Sequence, residues 1–346
     1  MRVTFVAFDD EPPQGGQGVM LRGMRRTLSE RDVDTRVISG RGEHAIRFAA
    51  VTRRPPLDLS LWLNRHPELI TRTQPDIVHA HGGPGGVLLV RRLDVPVVYT
   101  AHHTYRQAFA VGDPRRVLAP VEALALRGAA RVLAVSESTA DAVRAMHVPA
   151  SRVDVVPPGV ELPPLDPAAR EPGTMLYAGR LEREKNPLSA IAVMRRVIAN
   201  RPGWRGVVIG GGRLDRAVRE AAAGCSRIEV LGRVDDDTLS RELARASVLL
   251  MPSRFEGLGL VALEAQARAT PVVGYDVTGL RDAVRDGGIL VPAGDVEALR
   301  RACLRVLEDD VLAAELGARG RAFVTREHSW DVIGTVLLQA YAAVRR

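Results

Sequence analysis

Aromatic side chains make up only 4% of the 346 residues, and cysteine occurs twice, at Cys225 and Cys303. Few aromatics, and basic residues that are scattered rather than clustered, exclude the stacking platform and cationic groove by which single-stranded nucleic acid is bound. Two cysteines far apart in sequence match neither a metal-ligand spacing nor a disulfide framework, and they read as free thiols of a reducing compartment. No run of 18 apolar residues occurs, so no membrane-spanning helix is expected. The N-terminal apolar run from Val3 to Phe8 closes on Asp9-Asp10 and is too short for a signal peptide. A cytoplasmic protein is the reading that these absences leave.

What is there is a globular composition, 46% hydrophobic and 26% charged, with a net charge of +7. The positive balance favours anionic partners without naming one. The length suits two domains rather than a single core. Short apolar segments alternate with amphipathic ones. Strands are expected at 3–8, 34–39, 76–80, 95–100, 131–135 and 153–157, with helices that include 18–30, 84–92, 116–128 and 136–147. The segment 41–73, with Pro55-Pro56 and several arginines, supports no assignment. The proline-rich run 157–167 has few backbone donors and reads as a stiff linker.

Beyond the linker the alternation restarts, with strands at 174–178, 206–210, 228–231, 248–251, 271–274 and 288–291. Two helices follow over 295–325, and a last one is expected over about 329–346. Strand and helix in alternation imply parallel sheets wound on both faces. The expectation is therefore two doubly wound α/β domains, 1–163 and 172–328, facing across a cleft. Ligands favour such clefts and the C-terminal edges of the strands.

The most informative stretch is Ser253-Arg254-Phe255-Glu256-Gly257-Leu258-Gly259-Leu260-Val261-Ala262-Leu263-Glu264. It follows the apolar run 248–251, and its glycines suit a tight turn into a helix whose free N–H groups and dipole attract phosphate. At helical rise Glu264 stands roughly 7–8 Å along the axis from Gly259, so two carboxylates flank the turn. Gly15-Gly16-Gln17-Gly18 after the first strand is a second loop that lets a ligand approach the backbone, although it is not a full G-x-G-x-x-G. In the run Gly179-Arg180-Leu181-Glu182-Arg183-Glu184-Lys185-Asn186-Pro187, Arg180 and Lys185 can neutralise a diphosphate, against the blander reading of a solvated loop. Gly210-Gly211-Gly212 is a third loop of this kind. Four of the eight histidines, His79, His81, His102 and His103, fall at two strand ends. A neutral His102 hydrogen-bonding a ligand hydroxyl is preferred there to a metal site.

Together these motifs resemble the retaining glycosyltransferases of the GT-B fold, family 4, over nearly the whole chain and in order. Glu256 and Glu264 are similar to that family's paired glutamates, Arg180 and Lys185 to its phosphate loop, and Gly15-Gly16 to its N-terminal glycine loop. His79-Ala80-His81-Gly82, Thr100-Ala101-His102, Val156-Pro157-Pro158-Gly159-Val160 and Ala269-Thr270-Pro271-Val272-Val273 resemble further family segments, and the Ser329-Trp330 helix one that packs back on the N-terminal domain. The family's small-residue loop is only partly kept, as Val277-Thr278-Gly279-Leu280.

The resemblance implies a two-domain GT-B enzyme of the hexosyltransferase type (EC 2.4) that moves a sugar from a nucleotide-diphosphate sugar to a small-molecule, glycan or lipid acceptor. It implies a front-face reaction with retention and no metal or other cofactor. Glu256 and His102 would serve at the sugar. Gly16, Arg180, Lys185, Gly257, Leu258, Gly259, Leu260 and Glu264 would hold the donor, and Gly232-Arg233-Val234 would edge its base. The alternatives are an isomerase or hydrolase of nucleotide sugars on the same fold, or a non-catalytic binder. Arg47, Arg53, Arg54 and Arg65 around Trp62 and Leu63 form a candidate surface for peripheral contact with anionic lipid.

Overall fold

The structure, a computed structural model, describes residues 1–13, 15–109 and 117–345. It contains two compact units, Met1–Gly159 together with Trp330–Arg346, and Val160–Ser329.

The first unit is built on β1 (Arg2–Asp9), β2 (Asp34–Arg41), β3 (Ile77–Gly82), β4 (Val97–Ala101), β5 (Arg131–Ala134) and β6 (Val153–Val155), in the spatial order β2-β1-β3-β4-β5-β6. All neighbours run parallel. Every residue of β3 is buried, as a strand covered by helices on both faces requires. The helix Gly16–Ser29 follows β1 and receives the C-terminal helix Trp330–Val344. Trp330 lies directly over Gly23 and Gly159, where any Cβ would collide with its ring. Arg31 donates to Asp331 at 3.0 Å, and Thr27 to the carbonyl of Trp330 at 3.2 Å.

The second unit carries β7 (Thr174–Ala178), β8 (Arg205–Ile209), β9 (Ile228–Gly232), β10 (Val248–Met251), β11 (Val272–Tyr275) and β12 (Gly288–Val291), ordered β12-β11-β10-β7-β8-β9. Counted within the unit this is the 3-2-1-4-5-6 arrangement of dinucleotide-binding sheets, whereas the first unit follows the 2-1-3-4-5 variant with one more strand. Val160 pairs with Ser329 in an isolated bridge at the margin of this unit.

Two local expectations are corrected. Residues 84–92 form no helix. Gly83 and Gly85 adopt left-handed φ values of +93° and +96°, and Val87, Leu88 and Leu89 are buried as an irregular segment. The Asn64 side chain serves that segment's backbone, bonding the Leu88 carbonyl and the Val90 and Arg91 amides. In the segment that supported no assignment, Pro55-Pro56 opens a helix, Pro55–Arg65, since proline lacks only an N–H that the first turn would leave unpaired anyway. In that helix Leu63 is buried in the core and Trp62 lies against the His66 ring, with centroids 4.2 Å apart. The basic-apolar surface therefore loses its leucine, while Arg47, Arg53, Arg54 and Arg65 are exposed. The expected helix start at Arg116 lies outside the described residues; the helix there runs Ala119–Gly128.

Candidate functional site

In the second sheet β7 and β10 are neighbours although their connections leave in opposite directions, so their C-terminal ends mark the switch point where doubly wound sheets take ligands. The loops leaving these two strands are laced together. The amide of Arg254 donates to the Glu184 carbonyl at 2.8 Å, and the Asn186 side chain to the Pro252 carbonyl at 3.2 Å. Asn186 holds a left-handed φ of 52° just before Pro187 opens the helix Pro187–Ile198. Asparagine tolerates that conformation better than most residues, so the turn is written into the sequence.

The lacing brings Lys185 to Glu256. Lys185 Nζ lies 2.5 Å from Glu256 Oε2, and Ser253 Oγ donates to Glu256 Oε1 at 2.8 Å. Both carboxylate oxygens are thereby held, with the Glu256 side chain 7% and the Lys185 side chain 18% exposed. Charge-assisted bonds this close to the protein interior are stronger than at the surface, and removing one partner strands the other. Tyr177 lies nearby and donates to the Arg180 carbonyl at 3.1 Å. Burial, then the charge of Glu256, pushes its hydroxyl above its ordinary range, so it stays protonated.

The glycines around this pair divide by what they touch. Gly259 has a φ of +90° and stands just before the helix Leu260–Gln266. A Cβ on Gly279 would sit 2.3 Å from the Glu256 carbonyl oxygen, so the turn holding Glu256 rests on that glycine. The Gly210 to Gly212 run, half-buried at its first two residues and exposed at Gly212, is packed closely against a neighbouring loop. A Cβ at Gly210 would meet the Gly179 carbonyl at 1.8 Å, and one at Gly212 the Leu181 carbonyl at 2.6 Å. The loops after β7 and β8 pack backbone on backbone there.

Of the other expected donor residues, Arg180 turns outward into an exposed ion pair with Glu184 at 3.0 Å. Leu258 is buried, whereas Gly257, Leu260 and Glu264 are half-buried. Glu264 lies one turn into the helix, where its carbonyl accepts from Arg268 at 2.8 Å. Gly232 ends the edge strand β9 with a φ of +73°, followed by exposed Arg233 and half-buried Val234. Asp235 accepts from the Thr238 amide at 2.7 Å and caps the helix Asp236–Arg245, so the acidic run there is a helix start.

In the first unit, β3 and β4 end side by side and bring three of the four histidine rings together. His79 Nδ1 lies 2.6 Å from the Tyr341 hydroxyl and Nε2 2.6 Å from Thr100 Oγ1, fully buried. His81 is equally buried, its Nδ1 3.0 Å from His102 Nε2. Burial pushes the His79 imidazole down to about 3 and that of His102 to about 4, and holds His81 well below its ordinary value. All three are neutral near pH 7. Among the described residues no group of three or more His, Cys, Asp or Glu could hold a metal ion. Gly16 opens the helix after β1, and a Cβ at Gly15 or Gly16 would meet nothing within 4 Å. Unlike the Gly210 run, these two glycines are not required by contacts inside the protein.

The strongest signal passed over in the sequence is compositional. Lys185 is the only lysine in the chain; the other 47 of its 48 basic residues are arginine. A chain that uses arginine everywhere else keeps a compact ammonium at the one position beside Glu256, where a planar guanidinium would not serve in the same way. Ser253 and Gly279 stand in stretches singled out in the sequence, but their parts in holding Glu256 come from contacts made only in three dimensions.

Two family descriptions match the chain, "Glycosyltransferase Family 4" over residues 14–162 and "Glycosyl transferases group 1" over residues 172–309. The chain is 31% identical over 291 residues to the glycogen synthase of Mycobacterium tuberculosis, covering 79% of this chain and 70% of that protein. Among solved structures it resembles sucrose-phosphate synthase from Thermosynechococcus elongatus, with a TM-score of 0.81, 20% identity and coverage of 99% and 98%. It also resembles HepE from Anabaena, solved in complex with UDP-glucose, with a TM-score of 0.77, 17% identity and coverage of 99% and 100%. Two parallel six-stranded sheets of the GT-B kind, and sequence likeness across both halves, place the chain among the family 4 glycosyltransferases, as an enzyme of the hexosyltransferase type.

Proposed function

We propose that this enzyme takes its sugar from a nucleotide-diphosphate sugar and transfers it with retention by a front-face route that needs no metal. The observation that carries this reading is the placement of the chain's single lysine against Glu256 at the switch point of the second sheet. Lys185, with Arg180 on the same loop and the amides of Gly259 and Leu260 nearby, supplies positive charge for the departing diphosphate, the role a divalent ion takes in other transferases. Glu256, fixed on both oxygens, is suited to the hydroxyls of the donor sugar, and Glu264 to the ribose. Gly232, Arg233 and Val234 edge the base, while Gly257 and Leu258 shape the turn. In the N-terminal unit, His102 is assigned to the sugar, Gly16 to the phosphate, and the remaining surface to the acceptor. The complex of HepE with UDP-glucose supports the donor class. Two free thiols, Cys225 and the buried Cys303, suit a reducing compartment.

Thermal stabilisation by UDP, GDP and ADP names the base, after which transfer is followed with and without EDTA. Activity that survives chelation, with one nucleotide stabilising the protein, is the expected result. Complete loss in EDTA, restored by a divalent ion, overturns the metal-free assignment.

A further inference from the structure

We infer that His81 is a positioning residue that sets the tautomer of His102: the Nδ1–H of His81 donates to His102 Nε2, so that His102 offers its own Nδ1–H, a hydrogen-bond donor, to an oxygen atom of the ligand. The inference rests on the proposed role of His102 and adds the direction of its hydrogen bond.

The argument starts from an atom without a partner. His81 is completely buried, and its Nε2 has no hydrogen-bond partner. Its Nδ1 faces His102 Nε2 at 3.0 Å, a distance at which one of the two nitrogens carries the shared proton. Two arrangements of two neutral imidazoles satisfy that bond. If His102 donates, the proton of His81 is forced onto Nε2, where a buried N–H has nothing to bond. If His81 donates, its Nε2 is a bare lone pair. Buried N–H groups without partners are rarer in folded proteins than under-satisfied acceptors, because the stranded donor forfeits its full hydration. The second arrangement is therefore the native one.

The surroundings hold it in place. His79 sits two residues away on β3 with its ring centroid 5.1 Å from His81, and Phe5 packs at 5.8 Å. His79 has no capacity to spare for His81, since Tyr341 and Thr100 occupy both of its nitrogens. Gly83 lets the chain after β4 come close, for a Cβ there would lie 2.2 Å from the His103 carbonyl oxygen. The Nδ1 of His102 bonds none of the described residues, and the His102 side chain is half-buried rather than sealed. A fixed donor at that position selects a lone pair, on a sugar hydroxyl or a phosphate oxygen, and disfavours a ligand group that can only donate.

Long-range proton–nitrogen correlation spectra of the whole protein labelled with nitrogen-15 histidine read each tautomer directly. The expected spectrum shows His102 protonated on Nδ1 and bare on Nε2, with His81 protonated on Nδ1; a His102 proton on Nε2 refutes the inference whatever the activity. Two variants extend the test. His81→Asn keeps an N–H near the Nδ1 position and should leave the His102 tautomer and the transfer rate close to those of the parent. His81→Phe removes the donor, should mix the His102 tautomers, and should lower kcat about tenfold with nucleotide affinity unchanged, a loss equivalent to about 1.4 kcal/mol. Equal loss in both variants would mean that His81 merely fills space. Should His81→Phe fail to fold, the parent spectrum and the asparagine variant decide. His102→Ala with full activity removes His102 from the reaction but leaves the tautomer assignment to the spectra, so the two failures are told apart.

Discussion

The two units carry their polar groups in opposite ways. In the second, an ion pair with side chains 18% and 7% exposed sits at the end of two strands, every oxygen of its carboxylate held. In the first, a row of neutral histidines lies beside buried Phe5, each pushed below its ordinary protonation range by burial. A charged pair that is mostly buried but still in reach of solvent through Lys185 can be split by an incoming anion. A neutral imidazole row can only donate and accept hydrogen bonds, one N–H and one lone pair per ring. Charge that can answer an anion is thus held in this pair in the second unit, and neutral hydrogen-bonding groups in the histidine row of the first.

The largest effect expected is on the charged side. Glu256→Gln should lower transfer by about three orders of magnitude, in the range seen when a single group acting on developing charge is removed. Nucleotide affinity, read by calorimetry, should hold or tighten, because Lys185 loses its internal competitor. Full transfer by this variant would end the assignment of Glu256. Lys185→Ala should weaken nucleotide binding by roughly ten- to a hundredfold, and Lys185→Arg should restore little of it, since the guanidinium is planar and bulkier. An arginine variant that binds as the parent does would show that only charge matters at this position.

Next in size come changes in the neutral row. Tyr341→Phe leaves His79 Nδ1 without its partner in a fully buried position, at a cost of about 1–3 kcal/mol. Chemical denaturation should detect that loss, while nucleotide binding stays unaltered. The smallest effect is one of pH. Burial raises the Glu122 carboxyl to about 8, so its contribution is fully present below the ordinary value near 4.5 and is lost as the pH rises through 8. The histidines act with the opposite sense. Their folded values lie below 6.5, so stability is present above 6.5 and lost as the pH falls towards 4. Glu122→Gln, whose amide oxygen can still accept from the Tyr105 amide as Glu122 does at 2.8 Å, should raise the melting temperature at pH 8 more than at pH 5. An equal gain at both values would mean that the carboxyl is not held neutral by burial.

Much of this architecture was legible from residue order alone. All twelve strands stand within a few residues of where short apolar runs predicted them, since strand spacing and Gly or Pro punctuation are local properties. The resemblance to family 4 was equally readable, because its motifs are short and sit at strand ends. Local pattern misled at 84–92, where helix-like spacing is overruled by left-handed glycines and by Asn64 reaching in from another element. Nor could it show that Gly210 and Gly212 are also needed for close contact with the loop after β7.

By itself, then, the order of residues determined the alternation of strands and helices, the proline break, and the presence of Glu256 and Lys185 at strand ends, because each depends on neighbours in the chain. Only the tertiary structure decided which groups meet. Lys185 and Glu256 are 71 residues apart and touch because β10 inserts beside β7, while His79 and Tyr341, 262 apart, touch because the last helix returns to the first sheet. Sheet order and helix docking arise from burying whole faces at once, and no local window of sequence contains that choice.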